Sequence, residues 1–529
     1  MSKSGTNWKI AAAIFLIILI LRAPAFWTPI LDTDESFFAG YANVLLSGGV
    51  PFVDCLDTKP YGIYYFFALI FSLFGKNNMV AVHAATAVVV GLTALYCHRI
   101  ARLFYSERAG IFAALFYAIF TTTYIPKFIS TSIVVVMMLP VTMSIYYLLS
   151  CEKYTRYWRL WLAGFLLGVA CLFKYQAGIT LVAVAFYYLV FSPLYAREIS
   201  IRKKICDFLV YFAGTFVVGI LFVIHLVSIG VWDQFWFWSV EGSRAYIETG
   251  NLLAQFPVKL LVRGGSFVAS TLLIWFFGIR HLAGLIRNIF TPLGRTKRQC
   301  GEYLIPIWFL FNIIPVSTGG RFYGHYFIQL LPPLVVMASV ETDHFFTWLT
   351  NSAVTRLRQL AYALFVIGLI VPALGFFGAR LVDDQIYKAI GEENPNNYKP
   401  IAAYIEKHTK PEDKIFVWGF ATPIYIFSNR DAASRFLVCD WLTGRVTGSP
   451  TARDRSFDTS QFITRGSWEL LLGDLEKNKP VYFVDTSPGN YHDYGKYPVQ
   501  NYPQLMNYLS EHYGIEESIA GADIYRRTN

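Results

Sequence analysis

The stretch "AAAIFLIILILRAPAFWTPILDTDESFFAG", residues 11–40, joins a strongly apolar run to a compact group of acids. Asp32, Asp34 and Glu35 lie within four positions, directly after a run close to the ~20 residues that span a bilayer. Carboxylates are costly near hydrocarbon, and ionisable groups at membrane depth usually mark a functional site. The stretch therefore predicts a membrane protein with a functional site at the bilayer surface.

The composition extends this prediction to the whole chain. Of the 529 residues, 55% are hydrophobic and 15% are charged, whereas a soluble domain has about 25% charged residues. Apolar runs recur from Lys9 to about Gly378, which predicts a polytopic protein. Basic cytoplasmic loops explain the net charge of +10, and no nucleic-acid-binding motif is present. We expect the lipid bilayer as a partner and no nucleic acid.

The seven cysteines form no C-x-x-C pair and no Cys/His spacing of the kind that binds metal. Cys55 and Cys439 are expected outside the cytoplasm, where a disulfide can persist, and the sequence leaves open whether they form one. The cysteines therefore give no reason to predict a metal site.

The positions of Lys and Arg predict the sidedness of the chain. Basic clusters near 99–108, 153–159, 197–204, 287–298 and 356–358 are expected in the cytoplasm. Two apolar segments lie between the first span and Arg99, and if both crossed, Arg99 would fall outside. The first of them, "YGIYYFFALIFSLFG" at residues 61–75, is short for a crossing and rich in Tyr and Phe. We interpret it as a helix in the outer interface.

About eleven crossings follow, so that the N-terminus is cytoplasmic and the C-terminal segment is outside. They are expected near residues 10–30, 79–98, 109–125, 129–150, 160–174, 177–194, 207–229, 264–286, 303–317, 324–340 and 359–378. The predicted fold is an all-α polytopic membrane domain, residues 1–379, followed by an extracytoplasmic α/β domain, residues 380–529.

The α/β assignment of the C-terminal domain depends on local patterns. "YKPIAAYIEKHTKPEDKIFVWG", residues 398–419, predicts an amphipathic helix, a Pro-marked turn and a buried strand. "KPVYFVDTS" and "ADIYRR" predict further strands, and "YPQLMNYLSEHYG" predicts a helix that ends at Gly514.

Several motifs, in order and predicted sidedness, resemble the polyprenyl-phosphate-sugar-dependent glycosyltransferases of the GT-C fold. This group includes the protein O-mannosyltransferases and the aminoarabinose transferases of lipid A. The motifs are the acidic group, "AGYANVLLSGG" at 39–49, Lys59-Pro60 before an aromatic helix, "GVACLFKYQAG" at 168–178, "GGRFYGHYFIQLLPP" at 319–333, and "DKIFVWGFATPIYIFSNRDAASRF" at 413–436. The resemblance implies an integral-membrane, inverting glycosyltransferase that uses a polyprenyl (undecaprenyl-type) monophosphate donor.

The chemistry implied by the resemblance needs one base and several cations. A sugar on a polyprenyl phosphate carries a good leaving group, so the enzyme needs a carboxylate to take the acceptor proton and cations to stabilise the phosphate. Direct displacement with one base predicts inversion. By motif, Asp34 is the predicted base and Glu35 orients or tunes it. The alternative is that Asp34, or its neighbour Asp32, caps the following helix.

The predicted donor-phosphate ligands are Lys59, Lys174 and Arg321. The alternative for Lys59 is that it extends to the lipid headgroups. Further candidate substrate-binding residues are Asp57, Tyr61, Arg244, Tyr246 and His325. Arg244 and Tyr246 belong to an aromatic loop, residues 232–263, which the sequence predicts as a lid or as an interfacial helix.

The sequence departs from the family pattern at two places. Phe37 stands where aminoarabinose transferases often carry a phosphate-binding Arg, so another cation must compensate. "KFISTSIVVVMM", residues 127–138, contains no acid where many members have one at the outer start of a middle span. We therefore predict no obligatory metal or other cofactor.

Two other classes of function compete with the enzyme. A lipid-linked sugar transporter or flippase favours inverted repeats and midplane charges, whereas here the charges gather at one face. A non-catalytic scaffold would not need Asp34, Glu35 and Lys59 together. The sugar is left open, and so is the extracytoplasmic acceptor, which could be lipid A or lipopolysaccharide, a polysaccharide, a glycolipid or a protein.

Overall fold

The computed structural model describes residues 8–123, 129–153, 156–195, 200–243, 256–289, 300–351, 355–380, 387 and 393–528. Contacts divide the chain into two compact units. The first, which we call the helical unit, contains Met1–Trp27, His83–Ile224 and Ala254–Val382. The second, which we call the outer-loop unit after the side of the membrane predicted for it, contains Thr28–Val82, His225–Leu253 and Asp383–Asn529. The predicted domain boundary at 379/380 stays a prediction.

Most of the described chain is helical. The α-helices, in chain order, are α1 Trp8–Arg22, α2 Pro24–Trp27, α3 Thr33–Leu46, α4 Gly62–Phe74, α5 Met79–Phe104, α6 Glu107–Phe120, α7 Ile133–Lys153, α8 Tyr157–Cys171, α9 Ile179–Phe186, α10 Ser192–Tyr195, α11 Ile201–Ser228, α12 Trp232–Trp236, α13 Phe256–Lys259, α14 Gly265–Ser270, α15 Leu272–Ile289, α16 Leu304–Ser317, α17 Leu331–Asn351, α18 Thr355–Arg380, α19 Lys399–His408, α20 Pro423–Ser428, α21 Asp440–Thr443, α22 Ser467–Asn478 and α23 Pro503–His512. Short 3-10 and π-helical segments connect several of them.

Six described helical segments are long and apolar enough to cross a bilayer. They are Met79–Phe104, Ile133–Cys151, Tyr175–Leu194, Ile201–Ser228, Leu272–Ile289 and Thr355–Gly375. All six overlap predicted spans, which confirms a multi-pass membrane protein. Shorter apolar helices lie at two more predicted spans, Tyr157–Phe173 and Leu304–Ser317. The total of eleven and the orientation stay predictions.

Helix α4 has the length predicted for an interfacial segment. It has 13 residues and so rises about 20 Å, less than a hydrocarbon core of ~30 Å. Gly75 ends the helix with a φ of +100°, a conformation that costs glycine little.

Small residues allow two helices of the helical unit to approach closely. A Cβ atom added at Gly164 of α8 would lie 1.8 Å from the Tyr211 carbonyl oxygen of α11. A Cβ atom at Gly214 would lie 2.1 Å from the Trp161 carbonyl oxygen. Membrane helices often pack through small residues in this way, because lipid provides no hydrophobic driving force between them.

The outer-loop unit contains a five-stranded mixed sheet with the strand order β2-β1-β3-β5-β4. The strands are β1 Lys414–Trp418, β2 Asp431–Ala432, β3 Tyr482–Asp485, β4 Tyr513–Ile519 and β5 Ala522–Arg527. Strand β1 pairs in parallel with β2 and β3, and β5 pairs antiparallel with β3 and β4. The predicted strands β1, β3 and β5 and the mixed helix-and-strand content are confirmed.

One local expectation differs from the structure, and one open alternative is decided. The helix predicted to end at Gly514 ends at His512, because Tyr513 and Gly514 pair with Arg527 and Arg526 in the β4–β5 hairpin. Cys55 and Cys439 are both buried free thiols, so the disulfide left open by the sequence is not formed.

Candidate active site

The acidic turn, residues 31–36, begins α3 and is organised by Asp32. Asp32 is the N-cap, with extended backbone dihedral angles, and its side chain accepts a hydrogen bond of 3.2 Å from the Asp34 backbone N–H. An acid suits this position because it satisfies an unpaired backbone donor next to the positive end of the helix dipole. Of the two capping alternatives, the structure therefore places Asp32 at the cap and Asp34 in the first turn.

Glu35 is a buried structural member of the same turn. The residue is 1% exposed, and one carboxylate oxygen accepts a 2.8 Å hydrogen bond from the Leu31 backbone N–H. Glu35 also donates its own backbone N–H to the Asp32 carbonyl. The spacing of Asp32 and Glu35 resembles a capping box, in which two side chains close one turn.

Asp34 lies between these two acids and differs from both. It is partly exposed, and among the described residues no hydrogen bond or ion pair reaches its carboxylate. Its oxygens therefore keep their acceptor capacity for a ligand, whereas the neighbouring carboxylates hold the backbone.

Described residues from the C-terminal part of the outer-loop unit contact the acidic turn through hydroxyl and imidazole groups. The Tyr387 hydroxyl donates to the Leu31 carbonyl at 2.7 Å. The Ser36 and Thr422 hydroxyls lie 2.7 Å apart, and His492 Nε2 lies 3.2 Å from Thr33 Oγ1. No local sequence pattern indicates these contacts, because they join residues 356 to 459 positions apart.

Asp57 and Lys59 form a close ion pair in the loop before α4. The Lys59 ammonium lies 3.0 Å from each Asp57 carboxylate oxygen. The Asp57 carboxylate also accepts a 2.6 Å hydrogen bond from the Thr58 backbone N–H and one from the Tyr64 hydroxyl. The Asp57 side chain is 7% exposed and that of Lys59 is 40% exposed. The loop therefore presents a cation held by a buried acid.

Tyr61 contributes aromatic packing to the same loop. The residue is 8% exposed, and its ring meets the rings of Tyr65 and His225 edge-on, with centroid distances of 5.2 and 5.7 Å. Its predicted role in binding substrate stays a prediction.

The helical unit contains the other predicted phosphate ligands. Lys174 Nζ lies 4.0 Å from the centroid of the Tyr326 ring, a cation–π distance. Arg321 is fully buried, and its carbonyl accepts a 2.8 Å hydrogen bond from Arg263. The His325 ring meets the Tyr326 ring edge-on at 4.7 Å.

Two glycines permit the turn that carries Arg321. Gly319 and Gly320 have φ angles of +80° and +59°, and the following Phe322 has a φ of +49°. A residue with a Cβ atom is strained in this region, so the pair Gly-Gly is the sequence reason for the tight loop.

Lys259 and Arg263 lie near Arg321 and form a cluster of three cations with it. Lys259 and Arg263 were not among the site residues predicted from the sequence. Burial, together with the positive charges of Arg321 and Arg263, lowers the pKa of Lys259. Cations gathered in this way repel one another, and an anion would relieve the repulsion. The available signal was the pair of basic residues in "PVKLLVRGG", residues 257–265.

Two of the predicted site residues fall outside the part of the chain that the structure describes, and the prediction about metal has no site to which it refers. Arg244 and Tyr246 lie outside the described residues. Within the described ranges, no three His, Cys, Asp or Glu side chains come together as a metal-binding group. Metal independence stays a prediction.

Comparisons with known proteins agree with this architecture. The family model described as dolichyl-phosphate-mannose-protein mannosyltransferase matches residues 58–227. This segment contains Lys59 and Lys174 and does not reach Asp34, Glu35 or Arg321. A comparison with curated proteins found no match.

Solved structures of two enzymes are similar over nearly the whole chain. ArnT from Cupriavidus metallidurans bound to undecaprenyl phosphate has a TM-score of 0.59 and 12% identity, covering 98% of this chain and 97% of that chain. Its apo state has a TM-score of 0.56 and 13% identity, covering 97% and 98%. The Archaeoglobus fulgidus oligosaccharyltransferase tethered with an acceptor peptide has a TM-score of 0.56 and 12% identity, covering 99% and 74%.

These likenesses confirm the predicted resemblance. At 12–13% identity the structural matches establish the GT-C fold, and the family match indicates the class. The chain is a multi-pass membrane protein with the GT-C fold, and about a third of it matches the mannosyltransferase family model.

Proposed function

We propose that this protein transfers one sugar from a polyprenyl monophosphate to an acceptor hydroxyl outside the cytoplasm, with inversion at the anomeric carbon. The observation that carries the proposal is the open Asp34 carboxylate. It lies in a turn whose other two acids are occupied in holding the backbone. A general base needs free lone pairs and a fixed position, and Asp34 has both.

In the proposed reaction, Asp34 accepts the proton of the acceptor hydroxyl as that oxygen forms its bond to the anomeric carbon. The bond between this carbon and the phosphate oxygen breaks, and the polyprenyl phosphate leaves with the electron pair. No second acid is needed because the phosphate is a good leaving group. Glu35 positions the turn through Leu31.

Lys59 is the proposed phosphate ligand of the outer-loop unit. The Lys59 side chain is 40% exposed and its ammonium is held by Asp57, so less side-chain entropy is lost when a phosphate binds. The phosphate roles of Lys174 and Arg321, which lie in the helical unit, stay predictions, and Lys259 and Arg263 become further candidates there.

The donor class is supported by what the similar proteins bind. The Cupriavidus protein was solved with undecaprenyl phosphate, and the Archaeoglobus enzyme AglB was solved with a dolichol-phosphate and an inhibitory peptide. We extend the polyprenyl-phosphate class to this chain and leave the sugar and the acceptor open.

We also propose a cell inner (plasma) membrane location with the N-terminus cytoplasmic and the C-terminal segment outside. Protease access to terminal tags in oriented vesicles would test this orientation.

The test uses the purified full chain, a panel of undecaprenyl-phosphate sugars, and a cell-envelope extract as acceptor. Mass spectrometry would detect sugar transferred to lipid, polysaccharide or protein. We expect Asp34→Asn to abolish transfer without lowering Tm. Asp32→Asn is the matched control, because Asn caps helices as well as Asp does. Full transfer by Asp34→Asn would overturn the proposal, and movement of intact donor across proteoliposomes without transfer would favour the flippase instead.

A further inference from the structure

We propose that His492 is a positioning residue for the acidic turn: its imidazole fixes Thr33 and, through Thr33, the Asp34 carboxylate. This inference rests on the proposed function, because it assigns His492 to the proposed base. It also gives the C-terminal segment a part in the transfer step itself, beyond any part in choosing the acceptor.

The first observation is the backbone at His492. His492 has φ +51° and ψ +38°, and Asp493 has φ +66° and ψ +19°. Two consecutive residues other than glycine in the left-handed region are uncommon and strained. Such strain persists only where surrounding contacts over-determine it, and it is concentrated at functional sites.

The second observation is the set of contacts that over-determine this backbone. The His492 backbone N–H donates to Glu393 Oε1 at 2.5 Å. Glu393 is itself fixed, because its other carboxylate oxygen accepts from the Tyr398 hydroxyl at 2.9 Å. The His492 ring meets the Phe420 ring edge-on at 5.0 Å. The imidazole is therefore held from its backbone and from one face.

The third observation is the contact between the imidazole and the acidic turn. His492 Nε2 lies 3.2 Å from Thr33 Oγ1, and either group can donate, depending on the tautomer. Thr33 is the first residue of α3 and directly precedes Asp34. The Thr33 carbonyl accepts from the Ser36 hydroxyl at 2.7 Å, and the Thr422 hydroxyl lies 3.4 Å from it.

These contacts give His492 an effect on rate rather than on binding. Thr33 is held on its backbone side by Ser36 and on its side-chain side by His492. If the side-chain contact is lost, Thr33 can rotate and carry Asp34 with it. A misplacement of ~1 Å in a reacting group can cost about 100-fold in rate, so a small displacement of Asp34 should be visible in kcat.

Three substitutions separate the backbone of His492 from its ring. His492→Asn suits the left-handed conformation but is too short to reach Thr33. His492→Gln restores the reach with a polar amide. Thr33→Val removes the hydroxyl at the other end of the same contact.

The measurement is transfer by the full chain in detergent, using the undecaprenyl-phosphate sugar that the unsubstituted protein turns over fastest. We expect His492→Asn to lower kcat at least 10-fold with an unchanged donor KM, and His492→Gln to recover most of the loss. Thr33→Val should lower kcat by about the same factor as His492→Asn. The double variant of His492→Asn and Thr33→Val should lower kcat no further than either single substitution, because both remove the same interaction. His408→Asn, an exposed histidine of α19, is the matched control.

Binding of undecaprenyl phosphate, measured as a rise in Tm, should be the same in all variants. The proposal is overturned if His492→Asn keeps its kcat, or if kcat and Tm fall together and Gln does not restore activity. The positioning role and the proposed function can fail independently. An active Asp34→Asn protein contradicts the role of Asp34 as the base, whereas an active His492→Asn protein contradicts only the positioning role of His492.

Discussion

The acidic turn at 31–36 and the loop at 54–59 each carry acids at or before the start of a helix, yet the carboxylates of Asp34 and Asp57 are in opposite states. Asp57 accepts from Lys59, Thr58 and Tyr64, so its lone pairs are used. Asp34 has no such partner among the described residues. The difference shows that residue type and proximity to a membrane do not make a carboxylate a base. What matters is whether its neighbours use up its hydrogen-bonding capacity.

The two regions also divide the work of the proposed reaction. In the turn, the carboxylates of Asp32 and Glu35 accept backbone hydrogen bonds and fix the backbone, while that of Asp34 keeps its acceptor capacity. In the loop, one buried acid is occupied so that its partner Lys59 is fixed and 40% exposed. One region presents an acceptor of protons, and the other presents a positive charge.

The largest expected effect tests the comparison directly. Asp34→Asn should lower kcat by about 10²–10⁴-fold, the range for losing a general base, and leave Tm unchanged because no described group bonds its carboxylate. The comparison variant Asp57→Asn should lower Tm and raise the donor KM. Steady-state kinetics and thermal unfolding would measure both, and an exchange of these two phenotypes would break the comparison.

The second prediction concerns what Asp57 does for Lys59. Asp57→Ala should cost about 1–3 kcal/mol of stability, because the Tyr64 hydroxyl and the Thr58 N–H lose their acceptor. A double-mutant cycle with Lys59→Met, followed by thermal unfolding, would isolate the ion pair. Simple additivity of the two losses would show that Asp57 does not hold Lys59.

The third prediction uses a buried carboxylate with fewer donors than Asp57. Burial raises the pKa of Asp485 to about 6, although hydrogen bonds from Ser487 oppose the shift. Between pH 4 and 6 the native state keeps a proton that the unfolded chain has lost, so stability falls as the pH rises. The loss is complete above pH 6 and amounts to about 3 kcal/mol at most.

Asp485→Asn should therefore raise Tm at pH 7.5, have little effect at pH 4, and remove the decline between them. The Asn side-chain oxygen can still accept from the Ser487 N–H. Glu412→Gln, which removes an exposed carboxylate two residues before the neighbouring strand β1, is the control and should leave the profile unchanged. A decline that persists in the Asp485→Asn protein would refute the assignment.

The smallest expected effect is that of a chelator. Transfer should continue in excess EDTA at an unchanged rate, because the proposed base and the phosphate ligands are side chains. Restoration of lost activity by Mg²⁺ or Mn²⁺ would show that the phosphate charge is neutralised by a metal, and Lys59 would then have a lesser part.

Parts of the site could be predicted because their signals are local. The acids Asp32, Asp34 and Glu35 were visible as a group, and their Asp-x-x-Glu spacing could have identified the capping pair. Sequence reasoning left the cap open between Asp32 and Asp34, since both are good caps. Lys259 and Arg263 were visible as basic residues but had no local feature that linked them to Arg321. His492 carried no signal, because its partner Thr33 is 459 positions away.

By itself, the sequence determined that this is a multi-pass membrane protein with a C-terminal mixed helix-and-strand segment, and it pointed to the GT-C glycosyltransferases. Hydropathy, charge and short motifs are properties of neighbouring residues, so these conclusions need no coordinates. Only the tertiary structure decided which acid is open, that Lys59 is held by Asp57, and that Tyr387, Thr422 and His492 hold the acidic turn. The physical reason is that a carboxylate's availability depends on which donors surround it, and here those donors come from distant parts of the chain.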